Sequence, residues 1–434
     1  MPRKSIVSLA TFCLLLTAEM ARGEWPHWRG PNRDDVVTES SGWNGEAWLN
    51  KLPAWRINAG EGSTSPIVFK DRLYVMGWHD QRDSVICLEL ASGRELSRAS
   101  YACPRHGRLA TGDQGLYAGP TSTPELDEAT GRLYTLSCDG DLKCWETQPK
   151  LRLAWELNLY DRYQVGRRPR VGRSGQRDYG YTTSPLIFGD WVIVEVGAES
   201  GTLIAFSKST GQEVWRSQAT GPAGHAGGMA PMTIQGVPCL ATMAFRGLLV
   251  CRLDPDHAGE TAAEYEWITD FANGIASPAV AGNQVVITSA YNHHKICKLE
   301  VTLNGARKIW ERPLCSKVCT PVIHDGSIYW AWQQLHCLDF ATGETRWSGG
   351  KYGDPGSCIA TADGRLIACG GRGDLALVEG ARRSPAQYHE LATLERVLST
   401  DAWPHVTLTA GRLLCKDRSG NLVCFTTAAA DSNR

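Results

Sequence analysis

Six arginines crowd the stretch between Asn158 and Thr183: Arg162, Arg167, Arg168, Arg170, Arg173 and Arg177, with Tyr179 and Tyr181 beside them. A guanidinium fork matches carboxylate, phosphate and sulfate geometry, so this stretch can hold an anion or a polyol. The competing reading is a solvated basic loop neutralised by Asp161 and Asp178. Two other long stretches are similar in kind. Tyr101 to Pro120 carries Arg105, His106 and Arg108, and Gln218 to Ala230 sets His225 among Gly221, Gly224, Gly227 and Gly228. Short turns add His79, Asp80, Arg246, His293, His294, Trp332, Arg372 and Arg418. The candidate ligand-binding set is Arg167, Arg168, Arg170, Arg173, Tyr181, His225, His293, His294, Trp332 and Arg372.

Other chemistries lack their signatures. His225, His293 and His294 are of a type that ligates metals or moves protons. No His-x-x-x-His or Cys-x-x-Cys accompanies them, so they read as turn histidines facing water, and no metal site is expected. Without Cys-x-x-Cys-His there is no covalent haem. Gly-x-Ser-x-Gly, a Walker loop and His-Glu-x-x-His are also missing, which removes the common hydrolase and nucleotide sites. A net charge of -1 is too balanced for nucleic-acid binding by bulk charge.

The elements that must position these residues form a repeat, clearest from Ala276 to Trp310. It opens with Ser277-Pro278 and passes a turn at Gly282-Asn283. It continues as Val285-Val286-Ile287-Thr288, then as Ile296-Cys297-Lys298-Leu299, and ends at Asn304-Gly305 and Trp310. Period-2 runs of this length between Gly, Asn and Asp read as a four-stranded antiparallel meander. Equivalent units begin at Ser65-Pro66, Thr123-Pro124, Ser184-Pro185, Ala230-Pro231 and Thr320-Pro321. A degenerate unit starts near Cys358, and an eighth near Trp403-Pro404. The eighth lacks its closing Trp, whereas Trp55 precedes Pro66 at the spacing by which Trp310 precedes Pro321. Leu52 to Ile57 is therefore expected to complete the C-terminal unit and close a ring, which removes free sheet edges. The fold class is all-β, an eight-bladed β-propeller of four-stranded antiparallel blades closed by an N-terminal strand. Seven blades is the alternative if the unit at Cys358 is an insertion.

The first residues are not fold. Arg3 and Lys4 precede an apolar run from Ile6 to Ala18 and a small-x-small site at Ala21-Arg22-Gly23. Cleavage near Gly23 and export to the periplasm or the medium are expected, with no transmembrane segment. Residues 24–50, including Trp25-Pro26-His27-Trp28-Arg29-Gly30, are expected to lie extended on the body, held by their Trp side chains. Residues 51–434 make the propeller. Cys87, Cys144, Cys251, Cys297, Cys337 and Cys424 share one place in the repeat that Ala205 and Ala376 fill elsewhere, so they read as free core thiols. Cys315 with Cys319, Cys358 with Cys369, and Cys103 remain candidate bridges.

Ser184-Pro185, Gly189, Ser200-Gly201-Thr202-Leu203 and Thr210-Gly211 to Trp215 resemble the repeat of quinoprotein-type β-propellers. The resemblance runs from about residue 50 to residue 426. Proteins with this repeat include pyrroloquinoline quinone (PQQ) dehydrogenases and the non-enzymatic scaffold lipoprotein of the outer-membrane β-barrel assembly machinery. The opening Trp25 to Arg33 is similar to the start of exported PQQ-like repeat proteins of undefined function. The resemblance makes PQQ a conceivable cofactor, yet the chain has no Cys-Cys pair. Nor do the dehydrogenases' calcium-binding Glu, Asn and Asp set and catalytic Asp match motifs here, so no catalytic residue carries over. The expected role is a monomeric binding or scaffold module whose ligand, glycan or protein partner meets the loop-rich face. The alternatives are a PQQ-dependent oxidoreductase acting on an alcohol or sugar, and a carbohydrate-binding or carbohydrate-modifying propeller.

Overall fold

In each unit the second and third strands are the most apolar, and they become the buried middle of a sheet. The computed structural model describes residues 24–104, 109–110, 119–172, 177–269, 274–291 and 293–431. Blade one comprises Ile67–Phe69, Arg72–His79, Arg82–Glu89 and Glu95–Ala102. Further antiparallel sheets begin at Glu125, Leu186, Ala230, Ala279, Val322, Gly356 and Thr407, giving eight blades. In blade six the run Ser327–Asp339 passes through both middle positions, turning at Gln333 with φ 62, so that sheet has three continuous strands. The degenerate unit is a full blade, ending at Glu390–Leu394, and the seven-bladed alternative falls away.

The ring closes as the missing Trp implied. Trp55 pairs with Cys424 and Asn58 with Asn421, so Trp55–Asn58 is the outer strand of blade eight. The Trp55 ring lies over the turn of the next blade, and a Cβ on Gly93 (φ +71) would come within 2.7 Å of it. The indole N–H donates to the Leu90 carbonyl at 3.0 Å. Trp155 covers Gly211 in the same way, and the Trp347 indole reaches from blade six to Ser384 O of blade seven at 3.0 Å. The repeat Trp thus packs between neighbouring blades.

A second interlock lies at the start of the innermost strands. Ser65 N–H donates to Thr123 Oγ1, Thr123 N–H to Ser184 Oγ and Ser277 N–H to Thr320 Oγ1, each at 3.0 Å. Gly228 N–H donates to Ser277 Oγ at 2.9 Å, and His405 N–H to Ser65 Oγ at 2.8 Å. The Ser or Thr of each Ser-Pro or Thr-Pro step accepts a hydrogen bond from the preceding blade.

Residues 25–37 fill the channel that these strands surround. Trp25 exchanges two 2.8 Å backbone bonds with Val68 of blade one. The Trp28 ring rests on Gly227 and Gly228 at the entry to blade four. Arg29 is 2% exposed; it pairs with the fully buried Asp35 and donates to Pro321 O of blade six at 2.8 Å. Arg33 and His27 meet Glu125 of blade two, and Val37 N–H donates to Ala360 O of blade seven. The segment is not extended: Arg29, Gly30, Arg33 and Asp35 have positive φ, and it turns within the channel rather than lying on the surface. It leaves past the first-to-second-strand turns of blades seven and eight, where Ser41 holds Asp363 and Glu39 accepts from Gly411 N–H.

All fourteen described cysteines are buried, and none is in a disulfide. Cys358 faces Ala368 across its strand pair and Cys369 faces Ser357, so they lie on opposite faces of the sheet and cannot bridge. No helix among the described residues is long and apolar enough to cross a membrane. The supposed signal segment, residues 1–23, lies outside the described residues.

Trp55→Ala should cost about 3–5 kcal/mol, because it opens a cavity at the ring seam. Leu52→Ala, three residues away and 79% exposed, should stay within about 0.5 kcal/mol. Urea midpoints of the two variants measure the difference, and equal midpoints would remove the seam as a source of stability.

Candidate functional site

The loops entering the first strands and the turns between second and third strands share one end of the ring. The longest of these loops follows blade two. It begins with the helix Leu159–Tyr163, where Asn158 Oδ1 accepts the Asp161 N–H at 3.1 Å and Gln164 stops the helix at φ 51. Arg168 then turns inward. Its guanidinium donates to Asp178 at 2.8 Å and to the carbonyls of Ala223 (2.6 Å), Gly224 (2.9 Å) and Gly180 (2.9 Å). Arg168 therefore ties this loop to the one after blade three. Arg167 and Arg170 remain exposed. Arg173, and Arg105, His106 and Arg108 of the earlier loop, lie outside the described residues. The ends of the two loops pair as Leu109–Ala110 with Arg177–Asp178.

The other candidates divide by exposure. Tyr181 is buried, its hydroxyl donating to Val196 O at 3.0 Å and its ring 4.7 Å from that of Tyr160. His225 is buried with its ring against Tyr179 at 5.2 Å. His293 stacks on Trp267 at 4.2 Å and bonds Ile268 O at 2.6 Å, while His294 is exposed. Trp332 is half-buried and Arg372 exposed. His293, His294, Trp332 and Arg372 occupy the same turn of three consecutive blades, so the topology groups them. Arg167 and Arg170 belong to a separate group between blades two and three. Arg246 lines a cleft of about 300 Å³ between blades three and four, with Thr202, Tyr265 and Glu266.

Three charged residues under this face escaped the sequence reading. Glu195 and Lys416 sit where blades one and two place Met76 and Leu136, near the end of the second strand. The signal was a charge within or closing an apolar run, Glu195 inside Trp191–Ala198 and Lys416 after Leu413, Leu414 and Cys415. Glu195 accepts from Gly224 N–H (2.8 Å), Thr183 Oγ1 (2.7 Å) and Thr242 Oγ1 (3.2 Å). Burial raises its pKa, and these donors with Arg168 oppose the rise. Lys416 donates to Gly62 O, and burial lowers it to about 7. Asp83 opens the third strand of blade one, and burial pushes it up to about 7. The carboxylates and the lysine best suited to proton chemistry are thus enclosed between blades, while the exposed groups include Arg167 and Arg372 alongside carboxylates such as Asp80 and Glu199.

The pKa of Lys416 sets a sign. It is about 7 folded against 10.5 in the ordinary case, so the unfolded chain binds the extra proton between those values. The burial penalty is complete below pH 7 and is relieved as pH rises toward 10.5. Lys416→Met should therefore be more stable than wild type at pH 6, by about 2–4 kcal/mol. The gap should narrow steadily toward pH 10 in melting curves, and a gap independent of pH would contradict the assignment.

A family model described as outer membrane protein assembly factor BamB matches residues 81–349. No curated protein matches the chain by sequence. BamB from Moraxella catarrhalis superposes with a TM-score of 0.59 at 12% identity, over 86% of this chain and 99% of that one. Quinohemoprotein alcohol dehydrogenase from Comamonas testosteroni superposes at 0.65 and 13% identity, over 95% of this chain and 82% of that one. At these identities the likeness is one of fold.

Proposed function

The chain belongs to the PQQ-repeat family described as outer membrane protein assembly factor BamB, and from that premise we propose that it is an exported scaffold that binds a protein partner through its loop-rich face. The carrying observation is the set of exposed cations on that face. Arg167, His294 and Arg372 are exposed and can meet an acidic partner surface, whereas Asp83, Asp178, Glu195 and Lys416 are enclosed and serve the ring itself. Exposed guanidinium groups recognise anionic groups without needing turnover. The leader-like first 23 residues support export to the periplasm or the medium.

A photo-cross-linker placed at residue 372 should capture the partner in cell envelopes, and one placed at residue 214, on an exposed outer strand, should not. Arg167→Glu/Arg372→Glu should weaken capture at least tenfold, about 1.4 kcal/mol, with an unchanged melting temperature. Equal capture at both positions would sink the reading. Saturable binding of PQQ with calcium, followed by Trp fluorescence, would replace it with the oxidoreductase alternative.

A further inference from the structure

Cys103 is the residue just past the outer strand of blade one, and Cys138-Asp139 lies in the second-to-third-strand turn of blade two. Thirty-five positions apart in the chain, the two cysteines meet between the blades, under the loop-rich face. The sulfurs of Cys103 and Cys138 and a carboxylate oxygen of Asp139 all lie within 4.8 Å of one another. Cys103 Sγ is 3.4 Å from Asp139 Oδ2. Asp83 lies beside this group. It is fully buried and lies against the Cys103 thiol. One of its oxygens faces the Tyr101 hydroxyl at 3.4 Å, and the other, Oδ1, is buried with no hydrogen-bond donor among the described residues.

We propose that Cys103, Cys138, Asp139 and Asp83 bind one zinc ion. Zinc takes four ligands in a tetrahedron with bonds of about 2.0–2.3 Å, which sets ligand atoms about 3.3–3.8 Å apart. The spacings of Cys103, Cys138 and Asp139 come within reach of that arrangement by side-chain adjustment, and Asp83 lies beside them as the fourth donor. Two sulfur ligands favour a thiophilic ion over calcium or magnesium, which require oxygen sets. A cation also answers the unpartnered Asp83 oxygen, whose burial is otherwise costly. The backbone that carries the ligands is already held. Cys103 N–H donates to Gln81 O and Cys103 O accepts from the Trp78 indole, each at 2.8 Å. Cys138 O accepts from Tyr181 N–H at 3.2 Å, and Asp139 O from the Asn158 amide at 3.0 Å. Four protein ligands leave no open position, so the ion is structural: it fastens the exit of blade one to the turn of blade two. When zinc binds, both thiols release their protons to solvent, as does Asp83 where it is protonated.

The test uses the mature protein isolated from the envelope. Elemental analysis should find one zinc per chain. Cobalt replacement in the reduced protein should show a sulfur-to-cobalt charge-transfer band. Cys103→Ser and Cys138→Ser should lose both the zinc and the band, and Asp83→Asn and Asp139→Asn should weaken zinc affinity at least about tenfold. Cys337→Ala, at a repeat position where other blades carry Ala205 and Ala376, should keep both. Where a serine variant does not fold, chelator titration of the cobalt wild type supplies the same reading. A Cys103–Cys138 disulfide in the isolated protein, or reduced protein that gives no cobalt–thiolate band, would overturn the proposal.

Discussion

The closed ring depends on one small contact repeated around its axis. At five blade entries a backbone N–H needs an acceptor in a place water does not reach, and the neighbouring blade's Ser or Thr hydroxyl supplies it; at the entry to blade three the Gly227 carbonyl does so. Because acceptor and donor belong to different blades, no blade is satisfied alone. The Pro that follows in most units carries no N–H, so the step after the contact leaves no unpaired donor facing the channel. The outer Trp residues perform the matching task at large radius, where indole rings cover the neighbour's turn. Inner hydroxyls and outer indoles together fix the angle between blades at two radii.

The channel itself is closed by chemistry unlike that of the blades. Asp35 is fully buried; burial raises its carboxyl, but Arg29 first and then His405 bring it below the ordinary range. The Trp28 ring packs 5.4 Å from that of His405. A charge pair in such a place is weak as a stabiliser but strict in its geometry. It suits a segment that must adopt one path among eight similar walls.

The repeat was legible because its signals are local. Glycine turns, alternating apolar runs and a Trp at constant spacing each declare themselves within a few residues, and the absent Trp of the eighth unit pointed to Trp55. Cysteine alternating with alanine likewise declared the core thiols. The candidate site was less legible, since side-chain direction in long loops depends on partners far away in sequence. Arg168 looked like its neighbours Arg167 and Arg170, yet carbonyls 55 and 56 positions away claim its guanidinium. Tyr181 and His225 joined the core for similar reasons. Residues 24–50 misled in another way: Trp and Pro suggested a surface strap, but a hollow axis offers more apolar contact than any outer face.

The seam at Trp55 has a consequence for the order of events at the ribosome. Residues 25–58 emerge first, yet their partners in blades six to eight, from Pro321 and Ala360 to Asn421 and Cys424, emerge last. Until then the leading segment is held only by blades one, two and four, and the growing chain is an open arc with an unsatisfied edge at each end. Cooperative closure waits for nearly the whole polypeptide. A chain stopped early cannot persist as a smaller propeller, which makes full-length synthesis a condition of folding.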